Sequence, residues 1–442
     1  MAVYTLHRIY WELWSATYAA WRTIVPEPQN RQVITWQAAP IIGLYMLPLL
    51  FQAYLVRRPD TYLIRLLMLP MTLACLIRVS FGYMFTNPHL NVYNWALGLL
   101  GLFLVARALD FGLVPAGRKK LSESAPGVPR GSSPESDDSD LDASEKPAHR
   151  SPTAPGILPL WFRDALELLF TARGLGWDFG AGVYVPPETR PQERKGFLLA
   201  TLLSFLKHFM LLDLQEALLK CVPGLSSPYG GTIFLPSLPV PQRYLVSTFA
   251  HILTGNSFVS GFQMVYDLVT LIDVGLFAHS PASWPPIMET PWATDSLHGF
   301  WAKRWHQLFR QIFLVFGGYP GYFIGGRIGM VLGAFAASGL YHELAIYAMG
   351  RGLDHRVTIF FALQGVMVIL EKVWRMVTGR RVGGWWGRLW CYFVIIVLGQ
   401  PTVDAWHVRG LAGGRVIFPS ISPTRRILFP LLKYLWSLAR RS

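Results

Sequence analysis

The amino-acid sequence predicts an all-α, polytopic integral membrane protein with about eight or nine transmembrane helices. Hydrophobic residues make up 52% of its 442 residues, and the mean hydropathy is +0.33. Charged residues make up only 15%, whereas soluble domains contain about 25%. The apolar residues also form runs close to the ~20 residues that a bilayer-spanning helix requires. These observations predict that most of the chain lies in or on a bilayer.

Aromatic residues dominate the segment before the first long apolar run. They recur at near-helical spacing, at Tyr4, Trp11, Trp14, Tyr18 and Trp21. Tryptophan and tyrosine favour the headgroup depth of a bilayer, so the pattern fits an interfacial helix. An amphipathic helix that covers the bundle fits it equally well. The segment lacks the basic region, single apolar stretch and cleavage site of a signal peptide, so we expect no removable leader.

The apolar runs predict eight spans and a weaker ninth. They lie near residues 38–56, 61–79, 93–110, 196–214, 243–277, 327–349, 356–376 and 386–402, with the weaker run near 426–439. The run at 243–277 is too long for one straight span and is interrupted by Thr254, Gly255 and Asn256. It therefore forms either one bent helix or two short helices.

The segment between the third and fourth runs, residues 118–155, is rich in Ser, Pro, Gly and charged residues. It has almost no large apolar side chain to offset the entropy cost of ordering, so we expect a disordered loop. The loop divides the chain into residues 1–117, with the interfacial segment and three spans, and residues 156–442. Together with Arg57 and Arg58 it would lie on the cytosolic side, because basic residues favour that side.

The charge and the cysteines exclude two other classes of protein. The net charge of +14 could indicate nucleic-acid binding, but the basic residues form short groups beside apolar runs. That distribution is typical of membrane topology signals, so we expect no nucleic-acid partner. The three cysteines, Cys75, Cys221 and Cys391, lack metal-ligand spacing and support neither a zinc site nor a disulfide framework.

The stretch GFWAKRWHQLFRQIF, residues 299–313, combines tryptophans, cations and a histidine. A helical projection puts Trp301, Trp305, Leu308, Phe309, Ile312 and Phe316 on one face and Lys303, His306, Gln307 and Arg310 on the other. We therefore predict an amphipathic helix along the membrane surface. Its cations fit lipid anchoring as well as a cationic cradle for a ligand. His306 is less suited to anchoring, because a neutral imidazole adds little to phosphate binding.

A second histidine lies within an apolar run. His342 and Glu343 occur near the middle of residues 327–350, with Ser338 and Gly339 one turn earlier. Ionisable groups at that depth usually face a cavity or a partner, and small neighbours leave room for a ligand. Close packing against another helix explains the same pattern. Both interpretations also apply to the other polar residues of the predicted spans, which are Lys207, His208, Asp213, His251, Asp267, Asp273, Gln364 and Glu371.

Four motifs together resemble a known family. FWAKRWHQLF followed by SGLYHEL is similar to the wax-synthase-like branch of the membrane-bound O-acyltransferases, and RGLGWDFG and FFALQGVMVILE resemble its fungal members. The resemblance covers roughly residues 160–400. Ala302 and Lys303 replace the usual Gly–Arg pair, and Asp178 replaces an expected asparagine.

The resemblance implies a helix bundle with an internal reaction tunnel in residues 156–442. It implies acyl transfer from acyl-CoA to a lipophilic alcohol, with His342 as general base and His306 as a donor to the reacting carbonyl. Four residues would bind acyl-CoA: Lys303, Arg304, Trp305 and Arg310. Five are candidates to line the tunnel: Ser338, Gly339, Glu343, Asp267 and Gln364. No serine or cysteine stands in a nucleophile motif, so direct transfer is expected, without a metal or a permanently bound cofactor.

Among substrates, the resemblance to fungal members favours acetyl-CoA and a secondary metabolite such as a terpenoid, meroterpenoid or polyketide. A long-chain wax-ester synthase is the alternative, because the motifs report acyl transfer and not chain length. A secondary transporter also fits apolar helices with buried charges. The expected surroundings are the lipids of the endoplasmic reticulum membrane, and the sequence leaves open whether the protein forms a homodimer.

Overall fold

The computed structural model describes residues 2–130 and 159–440, which are mostly helical. Seven of the described helices are long and apolar enough to cross a membrane: Tyr62–Gly82, Pro88–Leu113, Arg194–Leu219, Val240–Leu276, Arg310–Ala348, Arg356–Thr378 and Gly384–Val408. The predicted all-α membrane fold is confirmed, with fewer spans than the expected eight or nine. The run at 38–56 forms a 17-residue helix, and the run at 426–439 contains a helix of only 11 residues.

Fourteen α-helices follow one another along the described residues. They are α1 Ala2–Ile24, α2 Ala39–Leu55, α3 Tyr62–Gly82, α4 Asn91–Leu113, α5 Leu160–Phe170, α6 Arg194–Leu219, α7 Val240–Leu276, α8 Leu297–Gly299, α9 Arg310–Phe313, α10 Tyr319–Ala348, α11 Arg356–Thr378, α12 Gly384–Tyr392, α13 Gln400–Val408 and α14 Phe429–Ala439. Four π-helical stretches join or flank them: Phe300–Arg304, Leu314–Gly318, Phe393–Val397 and Thr424–Leu428. The described strands are two short pairs, β1 Gln32–Val33 parallel to β2 Tyr83–Met84 and β3 Glu123–Ala125 antiparallel to β4 Val128–Pro129.

The chain divides into two compact units. The first comprises Met1–Ala39, Ile77–Phe103 and Tyr184–Ser442, and the second comprises Pro40–Leu76 and Leu104–Val183. The first unit contains both motif histidines. Its N-terminal helix α1 exposes Trp11, Trp14 and Trp21, as a helix at a membrane interface would.

Helix α7 resolves the ambiguity at residues 243–277, because it is a single helix of 37 residues. Thr254 and Asn256 do not interrupt it. Their side chains donate to the carbonyls of Ala250 and Ile252, one turn earlier, at 2.7 and 3.0 Å. At 1.5 Å per residue the helix is about 55 Å long, well beyond the ~30 Å hydrocarbon core.

The segment from Arg310 to Ala348 is a hairpin of two helical arms. The backbone leaves the helical conformation at Gly325 and Gly326, and Gly326 has a φ of 56° that favours glycine. A Cβ on Gly333 would lie 2.1 Å from the carbonyl oxygen of Gly317, and one on Gly329 would lie 2.1 Å from that of Gly321. The predicted span at 327–349 is therefore the second arm of the hairpin. Its backbone contacts a first arm that was not among the predicted spans.

This contact predicts that Gly333→Val destabilises the protein. Its side chain would overlap the backbone of the first arm, and overpacking of this kind costs about 1–3 kcal/mol or more. Thermal unfolding of detergent-solubilised protein should show a midpoint several degrees below that of the parent. Gly43→Ala is the control, because nothing lies within 4 Å of a Cβ at that position. Equal midpoints for the two variants would contradict the proposed contact.

The second unit contains an ordered part of the segment that the sequence predicted as a disordered loop. In residues 118–130, β3 and β4 form a hairpin, and Glu123 accepts hydrogen bonds from Arg57 at 2.6 and 2.8 Å. Hydrogen bonds from Arg57 and the backbone outweigh desolvation and lower the pKa of Glu123 to about 2. Arg118 pairs with Asp110 and Asp178. The expectation of disorder is therefore wrong for residues 118–130, and residues 131–155 lie outside the described part.

We expect the protein to fold and to keep its activity when a Gly/Ser linker replaces residues 131–155. We expect it to be destabilised when the linker replaces residues 118–155. The shorter replacement removes no described contact, so acyl transfer in membranes should stay near the parent value. The longer one removes Glu123 and Arg118, the buried partners of Arg57 and Asp110, and breaking a buried ion pair typically costs about 3–5 kcal/mol. Expression and monodispersity on size-exclusion chromatography would be measured beside activity. Equal behaviour of the two replacements would refute the structural role of the hairpin.

Candidate active site

The segment around His306 is not the continuous amphipathic helix that the sequence predicted. The π-helix Phe300–Arg304 ends at Trp305, whose φ of −80° and ψ of 150° are extended, and α9 begins at Arg310. The Gln307 side chain donates to the carbonyls of Trp301 and Trp305, at 2.8 and 3.0 Å. Because this amide bonds backbone carbonyls left free by the break, the chain turns between the two helices. His306 lies in that turn.

The start of this segment is anchored by a carboxylate on α11. Glu371 accepts from the backbone nitrogens of Leu297 and His298 at 2.7 and 2.9 Å, and from the indole nitrogen of Trp390 at 3.1 Å. The α8 N-terminus thus receives a negative partner for its free N–H groups. Glu371 therefore holds the His306 segment in place.

His306 and His342 line one cavity of about 200 Å³ inside the first unit. The turn supplies His306, and the second arm of the hairpin supplies His342. The lining residues are Trp95, Phe258, Phe262, Trp301, Trp305, His306, Gln307, Phe309, Arg310, Phe313, Leu314, Ala334, Phe335, Ser338, His342, Phe361 and Trp406. The wall is mainly aromatic, with few polar groups, as is typical of a site for an apolar ligand.

Both imidazole rings are held by aromatic contacts instead of hydrogen bonds. The His306 ring lies 4.6 Å from that of Phe262, and the His342 ring stacks on Phe361 at 4.7 Å with an interplanar angle of 17°. The Nδ1 atom of each histidine is enclosed and has no hydrogen-bond partner. Burial, with a smaller contribution from His342, lowers the pKa of His306 to about 3, so this ring is neutral at physiological pH. The cavity therefore holds two imidazoles with unused hydrogen-bonding capacity.

The three predicted acyl-CoA-binding cations separate in the structure. Arg310 is exposed and lines the cavity. Arg304 instead lies 3.5 Å from Glu289, and Lys303 lies over the Tyr184 ring at 5.7 Å. Neither is among the lining residues. Of the four predicted acyl-CoA-binding residues, only Arg310 and Trp305 line the cavity.

Two of the five predicted tunnel residues are associated with the cavity. Ser338 lines it, and Gln364 lies behind the wall, where it accepts a hydrogen bond from the indole of Trp301 at 3.2 Å. Gly339 has a different role, because a Cβ there would lie 2.7 Å from the carbonyl oxygen of Thr358. Its small size allows α10 to pack against α11.

The other two predicted tunnel residues, Glu343 and Asp267, do not line the cavity. Glu343 accepts from the backbone nitrogen of Asp354 in the loop after α10. Asp267 accepts from Ser204 at 2.6 Å and from Gln263 at 2.8 Å, which joins α7 to α6. Both carboxylates are buried because they have these partners.

The sequence did not single out most of the aromatic lining. Trp95, Phe258, Phe361 and Trp406 come from α4, α7, α11 and α13, respectively. An aromatic residue in an apolar helix has the same sequence signal whether it faces lipid, a neighbouring helix or a cavity. Only the arrangement of four distant helices distinguishes these cases.

Comparison with known proteins agrees with this geometry. Residues 284–363, which include both histidines, match the Membrane bound O-acyl transferase family. This region of the chain is therefore similar to the membrane-bound O-acyltransferase family. This match and the relatives named acetyltransferases identify the chain as an O-acyltransferase. The family implies acyl-CoA and an alcohol as substrates.

Several fungal acetyltransferases are similar to this O-acyltransferase. Acetyltransferase eriL of Hericium erinaceus is 26% identical over 309 residues, covering 65% of this chain and 76% of the relative. Acetyltransferase aurG of Calcarisporium arbuscula is 26% identical over 401 residues, covering 85% and 88%. Acetyltransferase ataH of Aspergillus terreus is 29% identical over 157 residues, covering 34% and 52%.

The separation of the cations gives a matched test. If Arg310 binds a phosphate of acyl-CoA, Arg310→Ala should raise the KM for acyl-CoA about fivefold to tenfold, because one charge-assisted hydrogen bond is lost. Lys303→Ala should change it less than twofold, since Lys303 lies outside the cavity wall. The KM for the alcohol is the internal control and should stay constant in both variants. If both substitutions change the KM for acyl-CoA equally, Arg310 contributes only to the surface charge and does not bind a phosphate directly.

Proposed function

We propose that this O-acyltransferase transfers the acetyl group of acetyl-CoA to a hydroxyl group of a lipophilic fungal secondary metabolite. One observation carries the proposal: two unpartnered imidazoles, His306 and His342, share a small aromatic cavity with a cation at its border. That arrangement supplies a base, a hydrogen-bond donor and an attraction for phosphate beside an apolar compartment.

The proposed reaction assigns a different step to each imidazole. His342 takes the proton of the alcohol hydroxyl while the alcohol oxygen attacks the thioester carbonyl carbon. His306, as a neutral ring with one N–H, donates a hydrogen bond to the oxygen that becomes negative. The carbon–sulfur bond then breaks, and the CoA sulfur receives the proton from His342. The acyl group passes directly to the alcohol, and no residue is acylated.

The size of the cavity supports acetyl as the acyl group. Its volume of about 200 Å³ is below the ~300–1,000 Å³ of typical ligand pockets. A two-carbon acyl group and the reacting end of an alcohol fit such a space, whereas a long acyl chain needs an extended tunnel. The relatives eriL and aurG are named acetyltransferases, which supports the same choice over a wax-ester synthase.

The acceptor is proposed from the lining and from the source of the relatives. The aromatic wall favours an apolar, ring-containing alcohol, which would partition into the bilayer around the protein. The named relatives are fungal, in agreement with a terpenoid, meroterpenoid or polyketide acceptor. We assign the protein to the endoplasmic reticulum membrane, where such an acceptor meets cytosolic acetyl-CoA.

Substitution of His342 tests the assignment of the base. His342→Gln keeps a similar volume and hydrogen-bonding groups but cannot accept a proton, so turnover should fall about 10²- to 10⁴-fold. His306→Asn should retain more activity than His306→Ala, because an amide still donates to an oxyanion. Turnover would be measured with labelled acetyl-CoA or palmitoyl-CoA and a panel of hydrophobic alcohols.

The controls separate catalysis from folding and from transport. Each variant would be monodisperse in detergent, and its binding of acyl-CoA would be measured separately. Normal acyl-CoA binding with more than about a tenth of parent turnover in His342→Gln would disprove the base assignment. Faster transfer from palmitoyl-CoA would favour the wax-ester alternative. Uptake of the alcohol without an ester product would identify transport instead.

A further inference from the structure

Two tryptophans in the cavity wall have indole nitrogens without a hydrogen-bond partner. Among the described residues, the enclosed indole nitrogens that lack a partner are those of Trp95 and Trp406, and both rings line the cavity. Two tryptophans of the first unit that do not line the cavity have paired indole nitrogens. The Nε1 atom of Trp284 donates to Asp273 at 2.7 Å, and that of Trp292 donates to Asn256 at 3.0 Å.

Trp95, Phe258 and Trp406 form one continuous surface, which we call the indole wall. Phe258 stacks on Trp95 at 5.7 Å and meets Trp406 edge to face at 5.2 Å. The ring of Trp406 lies 6.3 Å from that of His342. The indole wall thus adjoins the proposed base.

The proposed CoA side of the cavity adjoins the other histidine. Trp305 lies 5.2 Å from His306, and Phe262, one turn after Phe258 on α7, packs on the same imidazole. Arg310, the lining cation, follows four residues after His306. An acyl-CoA that enters beside Arg310 therefore leaves the indole wall to the alcohol.

An indole nitrogen can only donate a hydrogen bond, so its partner must be an acceptor atom. An enclosed N–H without a partner is costly, and proteins rarely retain one unless another molecule satisfies it. The reacting hydroxyl gives its proton to His342, and the thioester carbonyl faces His306 in the proposed reaction. Neither atom is assigned to the indoles, which leaves both donors for a different oxygen.

We propose that the acceptor alcohol carries a second oxygen, in a ketone, ether or further hydroxyl group, that accepts a hydrogen bond from the Trp406 indole, with Trp95 as the second donor. The substrate class is therefore an oxygenated ring alcohol and not a hydrocarbon alcohol. The inference rests on the proposed function only in taking the alcohol as the occupant. An alcohol without a second oxygen, such as a fatty alcohol, would leave both N–H groups unpaired.

The test compares the binding of two probes in the absence of acyl-CoA. Borneol and 5-exo-hydroxycamphor are bicyclic alcohols with the same carbon skeleton, and only the second carries a ketone. Calorimetric titration of the detergent-solubilised protein should show roughly fivefold to tenfold tighter binding of hydroxycamphor. Trp406→Phe keeps an aromatic ring but lacks the N–H, so the ratio should fall to about one. Trp95→Phe should lower the ratio partly.

The ratio of the two affinities distinguishes a lost hydrogen bond from a general loosening of the cavity, because loosening would weaken the binding of both probes together. Trp292→Phe is the matched control, because it removes an indole donor outside the cavity and should leave the ratio unchanged. Equal affinities in the parent protein, no binding of either probe, or an unchanged ratio in Trp406→Phe would overturn the inference. In the last case, the N–H group is satisfied by the face of Phe258. If the parent protein binds hydroxycamphor more tightly than borneol but transfers no acetyl group, the proposed function is refuted and the inference on the second oxygen stands.

Discussion

Every departure from helical backbone in this protein requires partners for the peptide groups that it frees. In a membrane protein, water is scarce around such groups, and each one left unpaired costs several kcal/mol. The structure supplies buried side chains for this purpose. Glu371 accepts from two nitrogens at the start of α8, and Gln307 donates to two carbonyls at the end of the following π-helix. The turn that carries His306 depends on both.

The same constraint explains most of the buried carboxylates of the first unit. Asp404 accepts from the backbone nitrogen of Ile233, Glu216 from that of Ile417 and Asp213 from that of Thr424. Each acceptor is on a helix and each donor belongs to a non-α-helical segment. Hydropathy marks these carboxylates as exceptional in an apolar helix, but it does not distinguish a backbone partner from a catalytic group. The half-buried imidazoles of His306 and His342 differ because no comparable partner satisfies their enclosed Nδ1 atoms.

The sequence predicted the class of fold more accurately than the local backbone. It also singled out His306 and His342, which line one cavity in the structure. Long apolar runs and a low fraction of charged residues indicate a membrane protein even when the predicted helix boundaries are wrong. The helical projection failed at residues 305–309 because periodicity carries no information on the Gln307 contacts that permit a break. It also missed the first arm of the hairpin, because the predicted span began only at residue 327, after the break at Gly325 and Gly326. Trp95 and Trp406 were not predicted because their role depends on the proximity of α4 and α13.

The glycine contact between the hairpin arms sets a limit on how this chain can vary in length. His306 precedes the first arm and His342 lies on the second, so the register between the arms fixes the position of one imidazole relative to the other. One residue inserted between Gly333 and His342 would turn that ring by about 100° around the helix axis, away from the cavity. Insertions at the tip, where Phe323 and Ile324 are 91% and 86% exposed, leave the register unchanged. Relatives with the same site should therefore differ in length at the tip of the hairpin and not within its arms.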